Sequence, residues 1–172
     1  DDSEESEEDM RLINQYTKEV SNVNFDVMVK QYASKSKGKE DVLSDFAKGD
    51  LHVLTSMKCL DEGVDVPRSE LAIFCSSTGN PRQFIQRRGR VLRRAEGKTM
   101  ATIHDLVVVP RIDKDAGYYN MEKSLFSKEL ERVVDFAFMA LNKQDTFQVF
   151  EELLDYYTLN LHDINIKITQ SN

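Results

Sequence analysis

A row of arginines follows a proline in the middle of the chain, and its side chains could bind phosphate. Residues 80–94 are N-P-R-Q-F-I-Q-R-R-G-R-V-L-R-R. Asn80 is a favourable helix N-cap and Pro81 suits the first helical position, so the segment is predicted to be a helix. Guanidinium groups stay charged and pair with phosphate oxygens through two hydrogen bonds. A rigid helix that presents several of them therefore predicts a polyphosphate site.

The helical period separates this segment into a polar side and an apolar side. At about 100° per residue, Gln86, Arg90 and Arg93 share the polar side. An amphipathic helix with a solvated basic face explains the pattern equally well, since such faces are common. The apolar side, which is predicted to be buried, contains Phe84, Ile85, Val91 and Leu92.

Three segments resemble signature motifs of the superfamily-two helicases. Gln86–Arg93 is similar to motif VI in its form Q-R-x-G-R-x-x-R, and Leu60–Pro67 is similar to motif V. Ser76–Gly79 resembles the short motif between them, and all three occur in the family's order and spacing. The initial glutamine of motif VI favours the DNA-repair and restriction-type helicases over the DEAD-box branch. The resemblance covers roughly Phe25 to Pro110.

The resemblance implies the second of two RecA-like motor domains. The first such domain carries a phosphate-binding loop of the form G-x-x-x-x-G-K-S/T, and this sequence contains none. The chain alone is therefore predicted to be unable to hydrolyse ATP. Mg²⁺ is expected to be held by the first domain of the same protein, which is the predicted partner of this one. The strand of motif IV is expected to precede the acidic N-terminal tract and to lie outside the chain.

The resemblance also assigns roles around ATP. Arg90 and Arg93 would be arginine fingers that reach the γ-phosphate, with Gln86 beside them. In related enzymes the acid at the position of Asp65 binds the nucleotide ribose, and glycine at the position of Gly63 lets the backbone approach. Glu62 belongs to the same predicted ATP-binding set.

Nucleic acid is the second predicted partner, with DNA favoured over RNA. The contacts would come from hydroxyls, lysines and backbone N–H groups, which bind phosphates without reading bases. Serine and threonine at strand ends are also common turn formers, and for each residue alone that interpretation is the stronger. The predicted contact residues are Ser34, Lys35, Lys39, Thr55, Ser56, Thr78 and Gly79.

Alternating strands and helices predict an α/β fold, with a parallel sheet that has helices on both faces. Strands are predicted at 25–32, 51–56, 71–75 and 98–109, and a helix at Lys39–Lys48 that ends at Gly49. In such sheets the site lies at the carboxyl ends of the strands, where Thr55, Ser56 and Thr78 fall. Apolar residues at helical spacing after Tyr119 predict a C-terminal helical hairpin. Ile164, Ile166 and Ile168 alternate, as in a short strand or an ordered tail.

Composition places three regions along the 172 residues. Residues 1–9 contain seven acids and are predicted to be a disordered tract, residues 10–112 the helicase domain, and residues 113–172 a helical extension. Without the tract the chain has 23 acidic and 23 basic residues, so a net charge of −7 does not exclude nucleic acid. Cys59 and Cys75 are predicted to be reduced core thiols, which favours the cytoplasm. No apolar run is long enough for a membrane span.

Together these observations favour the second motor domain of an ATP-dependent helicase or translocase. The alternative is a non-enzymatic module that binds nucleic acid or an acidic partner through the arginine helix. Motif V distinguishes the motor domain from the binding module. A module that binds only through a basic patch has no need for Glu62-Gly63-Val64-Asp65 beside the arginine helix.

Overall fold

The computed structural model describes residues 6–33, 36–57, 66–75, 88–113 and 117–171. The chain divides into two compact units, Asp1–Asp105 and Leu106–Asn172. The boundary lies earlier than the predicted one at 112/113, because the last strand of the first unit ends at Asp105 and Val107 already packs on the helical core of the second. No helix within the described ranges is long and apolar enough to cross a membrane.

Helix α1, Glu7–Val23, opens the described chain. It begins inside the acidic tract that was predicted to be disordered. Ser6 accepts a hydrogen bond from the Asp9 backbone N–H, and the Asp9 carboxylate accepts one from the Ser6 N–H, which is a capping box. Acids in the first turn also interact favourably with the positive end of the helix dipole. The same acidic residues that suggest disorder by composition therefore suit a helix start.

A strand–helix–strand unit follows, formed by β1 (Val29–Tyr32), α2 (Lys39–Lys48) and β2 (Val53–Ser56). The predicted helix and its end at Gly49 are confirmed, since Gly49 has φ 89° and its N–H donates to the Asp45 and Phe46 carbonyls. The strands are parallel, with Val29 opposite Val53 and Tyr32 opposite Ser56. Their carboxyl ends therefore meet at one edge.

Strand β1 is shorter than the predicted strand, which began at Phe25. The Asn24 side chain accepts a hydrogen bond from the Asp26 N–H, so residues 25–27 form a turn. Phe25 is consequently 92% exposed. On the other side of the unit, the Lys30 ammonium lies 2.9 Å from an Asp45 carboxylate oxygen and links β1 to α2.

Strands β3 (Leu71–Phe74) and β4 (Thr102–Asp105) form a second parallel pair. Within the described residues the two pairs are separate two-stranded sheets, where one continuous sheet was predicted. Leu71 and Ile73 are 53% and 58% exposed, although β3 was predicted to be covered on both faces. Cys75 continues this exposed alternation and is not the core thiol that was predicted. Cys59 lies outside the described residues.

The second unit is helical throughout its described elements. These are α3 (Tyr119–Ala137), α4 (Lys143–Gln148), α5 (Glu151–Tyr157) and α6 (Leu161–Ser171). The prediction of a two-helix hairpin is wrong, because the residues after α3 form three helices and not one. Val149 and Phe150 separate α4 from α5, and residues 158–160 separate α5 from α6. Thr158 adopts a left-handed φ of 49°, and the Asn160 side chain accepts from the His162 N–H at the start of α6.

The core of this unit is formed by side chains from α3, α5, α6 and the residue before α5. The alternative of a terminal strand for residues 164–168 is wrong, because Ile164 is buried and Ile168 packs beside it, one helical turn away. Ile166, on the opposite face, is 40% exposed. The buried members of the core are Phe126, Leu130, Val133, Val134, Phe150, Tyr157 and Ile164.

A buried tyrosine predicts how this unit responds to alkali. The Tyr157 hydroxyl donates to a Glu122 carboxylate oxygen at 3.1 Å. Burial first, and then this hydrogen bond, raises the pKa of Tyr157 to about 12. A pKa raised above its unfolded value contributes stability that is complete below pH ~10 and is lost as pH rises towards ~12. We expect urea unfolding between these pH values to show a larger loss of stability for the natural chain than for Tyr157→Phe.

The matched control is Tyr118→Phe, which removes a hydroxyl from a tyrosine that is 64% exposed. It should leave the alkaline loss of stability as large as in the natural chain. An alkaline loss that is equally large in Tyr157→Phe would contradict the role given to the Tyr157 hydroxyl.

Candidate nucleotide and nucleic-acid site

The described part of the arginine segment, residues 88–94, starts with a short helix. Residues 88–91 are helical, and Leu92 is a turn residue whose N–H donates to the Arg88 carbonyl. Val91 is buried, as predicted, whereas Leu92 is 49% exposed because it lies beyond the helix end. Arg88 is buried as well, and it has an interaction partner within the chain. Phe84, Ile85 and Gln86 lie outside the described residues.

The two predicted arginine fingers lie at the end of this helix. Arg90 is half-buried within the helical turn, and Arg93 is exposed just after it. The Arg93 N–H donates to the Arg90 carbonyl at 3.4 Å, so the two residues are one turn apart. Guanidinium groups so placed are a donor set suited to phosphate oxygens.

Lys98, which the sequence analysis did not single out, holds the end of this segment. Its ammonium donates to the carbonyls of Val91, Arg93 and Pro67, the last two at 3.0 Å. Burial lowers the pKa of Lys98, and the Glu70 carboxylate acts in the opposite direction. In the sequence, only the glycine–lysine pair that follows the arginines could have drawn attention to Lys98. This pair is common and does not indicate which groups the lysine binds.

Motif V is described only at its last two residues, Val66 and Pro67. Glu62, Gly63 and Asp65 lie outside the described residues, as do Thr78 and Gly79 of the segment between motifs V and VI. Immediately after Asp65, Val66 is buried and its carbonyl accepts from the Ser69 N–H, which closes a turn through Pro67 and Arg68. The Arg68 guanidinium donates to the Ala47 carbonyl at 2.7 Å and so fixes this turn on the end of α2.

The carboxyl edge of the β1–β2 pair brings together three of the predicted nucleic-acid contacts. Thr55 and Ser56 end β2 and are half-buried. Lys39 begins α2, and its ammonium lies 5.6 Å from the centre of the Tyr32 ring, at the end of β1. The edge therefore combines a cation with hydroxyl groups. Ser34 and Lys35 lie outside the described residues.

Helix α1 also reaches this edge, which the sequence analysis missed. The Thr17 hydroxyl lies 2.6 Å from that of Thr55 and donates to the Ile13 carbonyl at 2.7 Å. Because a hydroxyl has one hydrogen, Thr55 is the donor to Thr17. Nearby, the Gln31 amide donates to the Asn14 side chain at 2.6 Å. The Thr55 hydroxyl is thus engaged with α1, which leaves it an acceptor towards a ligand.

Within the described ranges, no three His, Cys, Asp or Glu side chains come close enough together to hold a metal ion.

The chain matches a known family and several known proteins. Residues 4–95 match the helicase conserved C-terminal domain. The DNA 3'-5' translocase XPB2 of Sulfurisphaera tokodaii is 37% identical over 76 residues, which are 44% of this chain and 17% of that protein. The ATP-dependent DNA helicase MPH1 of Vanderwaltozyma polyspora is 36% identical over 64 residues, 37% of this chain and 6% of that protein.

A plant protein shows a similar degree of likeness. The endoribonuclease Dicer homolog 2a of Oryza sativa subsp. japonica is 32% identical over 96 residues, 56% of this chain and 6% of that protein. No solved structure matches the chain. The chain spans a small part of the length of these relatives.

The family match covers more than half of the chain and includes all three motifs that carried the resemblance. The prediction made from those motifs is confirmed: the chain belongs to the helicase conserved C-terminal domain family, as a C-terminal domain of superfamily-two helicases.

Proposed function

We propose that this chain is the second motor domain of an ATP-dependent nucleic-acid helicase or translocase. The observation that carries the proposal is the family match over residues 4–95, which spans motifs V and VI. The names of two relatives, a DNA translocase and an ATP-dependent DNA helicase, favour DNA as the track. The proposed fold is a RecA-like sheet with helices on both faces, of which the β1–α2–β2 unit and the β3–β4 pair would be parts.

In this proposal the ATP site is shared with a first motor domain of the same protein. Arg90 and Arg93 would act as arginine fingers, with Gln86 beside them. Glu62, Gly63 and Asp65 would bind the nucleotide from motif V. Arginine placed against a transferring phosphoryl group accelerates such reactions by about 10³–10⁵-fold, because it stabilises the charge of a loose transition state.

Mg²⁺ would be held by the first domain, together with the group that orients the attacking water. In that division this chain supplies the guanidinium groups of the arginine segment. When bound, the ion would neutralise charge on the phosphates. The arginines would complete the site as the two domains close on ATP.

Nucleic acid would bind along the carboxyl edge of β1 and β2. Lys39 and Ser56 are the described side chains that suit phosphate contacts there, with Ser34, Lys35, Thr78 and Gly79 as further proposed contacts. Thr55 would contribute chiefly by anchoring α1 to this edge, because its hydroxyl donates to Thr17. These groups reach phosphates, so binding would not depend on base sequence.

Salt dependence tests this interface. We expect the chain to bind single strands weakly, without sequence preference, and with an affinity that falls steeply as salt rises, because each phosphate contact releases a counterion. Lys39→Ala should weaken binding and reduce the slope of log affinity against log salt by about 1. Fluorescence anisotropy with DNA and RNA strands of the same sequence measures both quantities and shows which strand is preferred.

The matched control is Lys48→Ala at the other end of α2, where the lysine is exposed. It removes the same charge and should leave the slope unchanged. A strong preference for one base sequence that persists in high salt would contradict the proposed interface, as would equal effects of the two lysine variants.

A further inference from the structure

The Lys98 ammonium joins two segments that are far apart in sequence. Pro67, 31 residues before Lys98, belongs to the end of motif V, and Val91 and Arg93 belong to the end of motif VI. A lysine ammonium has three N–H donors, and here three backbone carbonyls accept from it. Its hydrogen-bonding capacity is therefore filled by the backbone of the two motifs.

One of the carbonyls that Lys98 binds, that of Val91, is one that the helix itself leaves without a partner. The last carbonyls of a helix have no intrahelical N–H, and a lysine close to the helix end can satisfy them. The Val91 carbonyl ends residues 88–91, and the Arg93 carbonyl belongs to the exposed arginine just beyond. The contact therefore acts directly on the backbone that carries Arg93.

A tight turn places the Lys98 side chain next to these carbonyls. The Lys98 N–H donates to the Ala95 carbonyl, and Gly97 between them has a φ of 78°, a conformation that favours glycine. The chain reverses at this turn, so the side chain of Lys98 returns to the helix end that the backbone has just left. The same segment then enters β4, whose Thr102 N–H donates to the Glu70 carbonyl at 2.7 Å.

We propose that Lys98 is a positioning residue for Arg93, which it holds in register with motif V by binding the carbonyls of Val91, Arg93 and Pro67. This inference rests on the proposed function of Arg93 as an arginine finger. Catalytic groups that are displaced by about 1 Å can lose around 10²-fold in rate, so a fixed backbone at this point matters. Lys98 itself touches neither nucleotide nor nucleic acid in this proposal.

A double-mutant cycle in the full-length protein tests the inference. Lys98→Met keeps the aliphatic stem and removes the three donors. We expect it to lower kcat for ATP hydrolysis about tenfold when Arg93 is present, and less than about twofold in an Arg93→Ala background. A lysine that supports only the general stability of the domain would lower kcat by the same factor in both backgrounds.

A conservative variant of Lys98 and a control variant at another lysine complete the test. Lys98→Arg retains the charge and the N–H donors but arranges the donors in a plane. It should therefore show a smaller loss of kcat than Lys98→Met, and this loss should also depend on Arg93. Lys98→Arg can be measured even if Lys98→Met does not fold. Lys48→Met removes an exposed lysine from the end of α2 and should not change kcat.

The outcomes separate the inference from the function on which it rests. A loss of kcat that depends on Arg93 supports the positioning role. Equal losses with and without Arg93, or no loss in Lys98→Met, overturn that role while leaving the arginine finger intact. An Arg93→Ala variant with unchanged kcat overturns the proposed function of Arg93, and the positioning role with it.

Discussion

Replacing Arg93 with alanine in the full-length protein is expected to lower kcat for ATP hydrolysis by about 10²-fold or more. Removing one preorganised group that stabilises transition-state charge has effects of that order. Arg93 is exposed and lies outside the helix, so its truncation should leave no cavity in the core. The loss should appear in kcat, while the affinity for nucleic acid and the thermal unfolding midpoint should change little.

Arg90→Ala is expected to have a comparable effect on kcat. Because Arg90 is half-buried, its variant needs an unfolding measurement before its rate is interpreted. Replacing either arginine with lysine should restore little activity, since a point charge does not reproduce the planar fork of a guanidinium. Steady-state ATP hydrolysis with saturating nucleic acid measures each effect.

Arg94→Ala is the suitable control for these variants. Arg94 is exposed, carries the same charge and follows Arg93 directly. Arg88 is a poor control, because it is buried and its removal would disturb the fold. If Arg90→Ala and Arg93→Ala kept full kcat but lost affinity for nucleic acid, the non-enzymatic binding module would be the better explanation.

Helix α2 shows what the sequence could predict. Its apolar residues recur at helical spacing, and Gly49 follows directly as a C-terminal residue with positive φ. Both signals lie within one short stretch, so no distant contact was needed to place its ends. The motifs were equally local, because motif VI can be recognised from eight neighbouring positions, Gln86–Arg93.

The secondary-structure predictions were wrong where a short sequence pattern is compatible with two kinds of structure. Ile164, Ile166 and Ile168 alternate as a strand would, but Ile164 and Ile168 are also one helical turn apart. Packing of Ile164 against the helical core decides between the two. Similarly, the alternation from Phe25 to Tyr32 suggested one strand, and the hydrogen bond from the Asp26 N–H to the Asn24 side chain turns its first part into a loop.

Contacts between distant residues were beyond the reach of the sequence. Lys98 and Pro67 are 31 residues apart, and Thr17 and Thr55 are 38 apart. The residues around Lys98 do not indicate that it binds carbonyls at a helix end, and the residues around Thr17 do not indicate that it contacts the end of β2. These pairings exist only once the parallel strands have brought the segments together, so they follow from the tertiary fold.

The second large effect concerns the chain by itself, which is expected to hydrolyse no ATP above background, with or without nucleic acid. Hydrolysis needs a cradle for the β- and γ-phosphates and a bound Mg²⁺. The sequence has no G-x-x-x-x-G-K-S/T loop to form that cradle. Arginine fingers act on a phosphate that other groups already hold, so without those groups Arg90 and Arg93 have nothing to stabilise.

A turnover assay at high protein concentration measures this, with the full-length protein as the positive reference. The chain carrying Arg93→Ala distinguishes true activity from a contaminant, since hydrolysis by a contaminating ATPase would be the same in both preparations. Hydrolysis that nucleic acid stimulates and that disappears in Arg93→Ala would show that the chain holds a complete site. The division of the ATP site between two domains would then be wrong, although the assignment of Arg93 would stand.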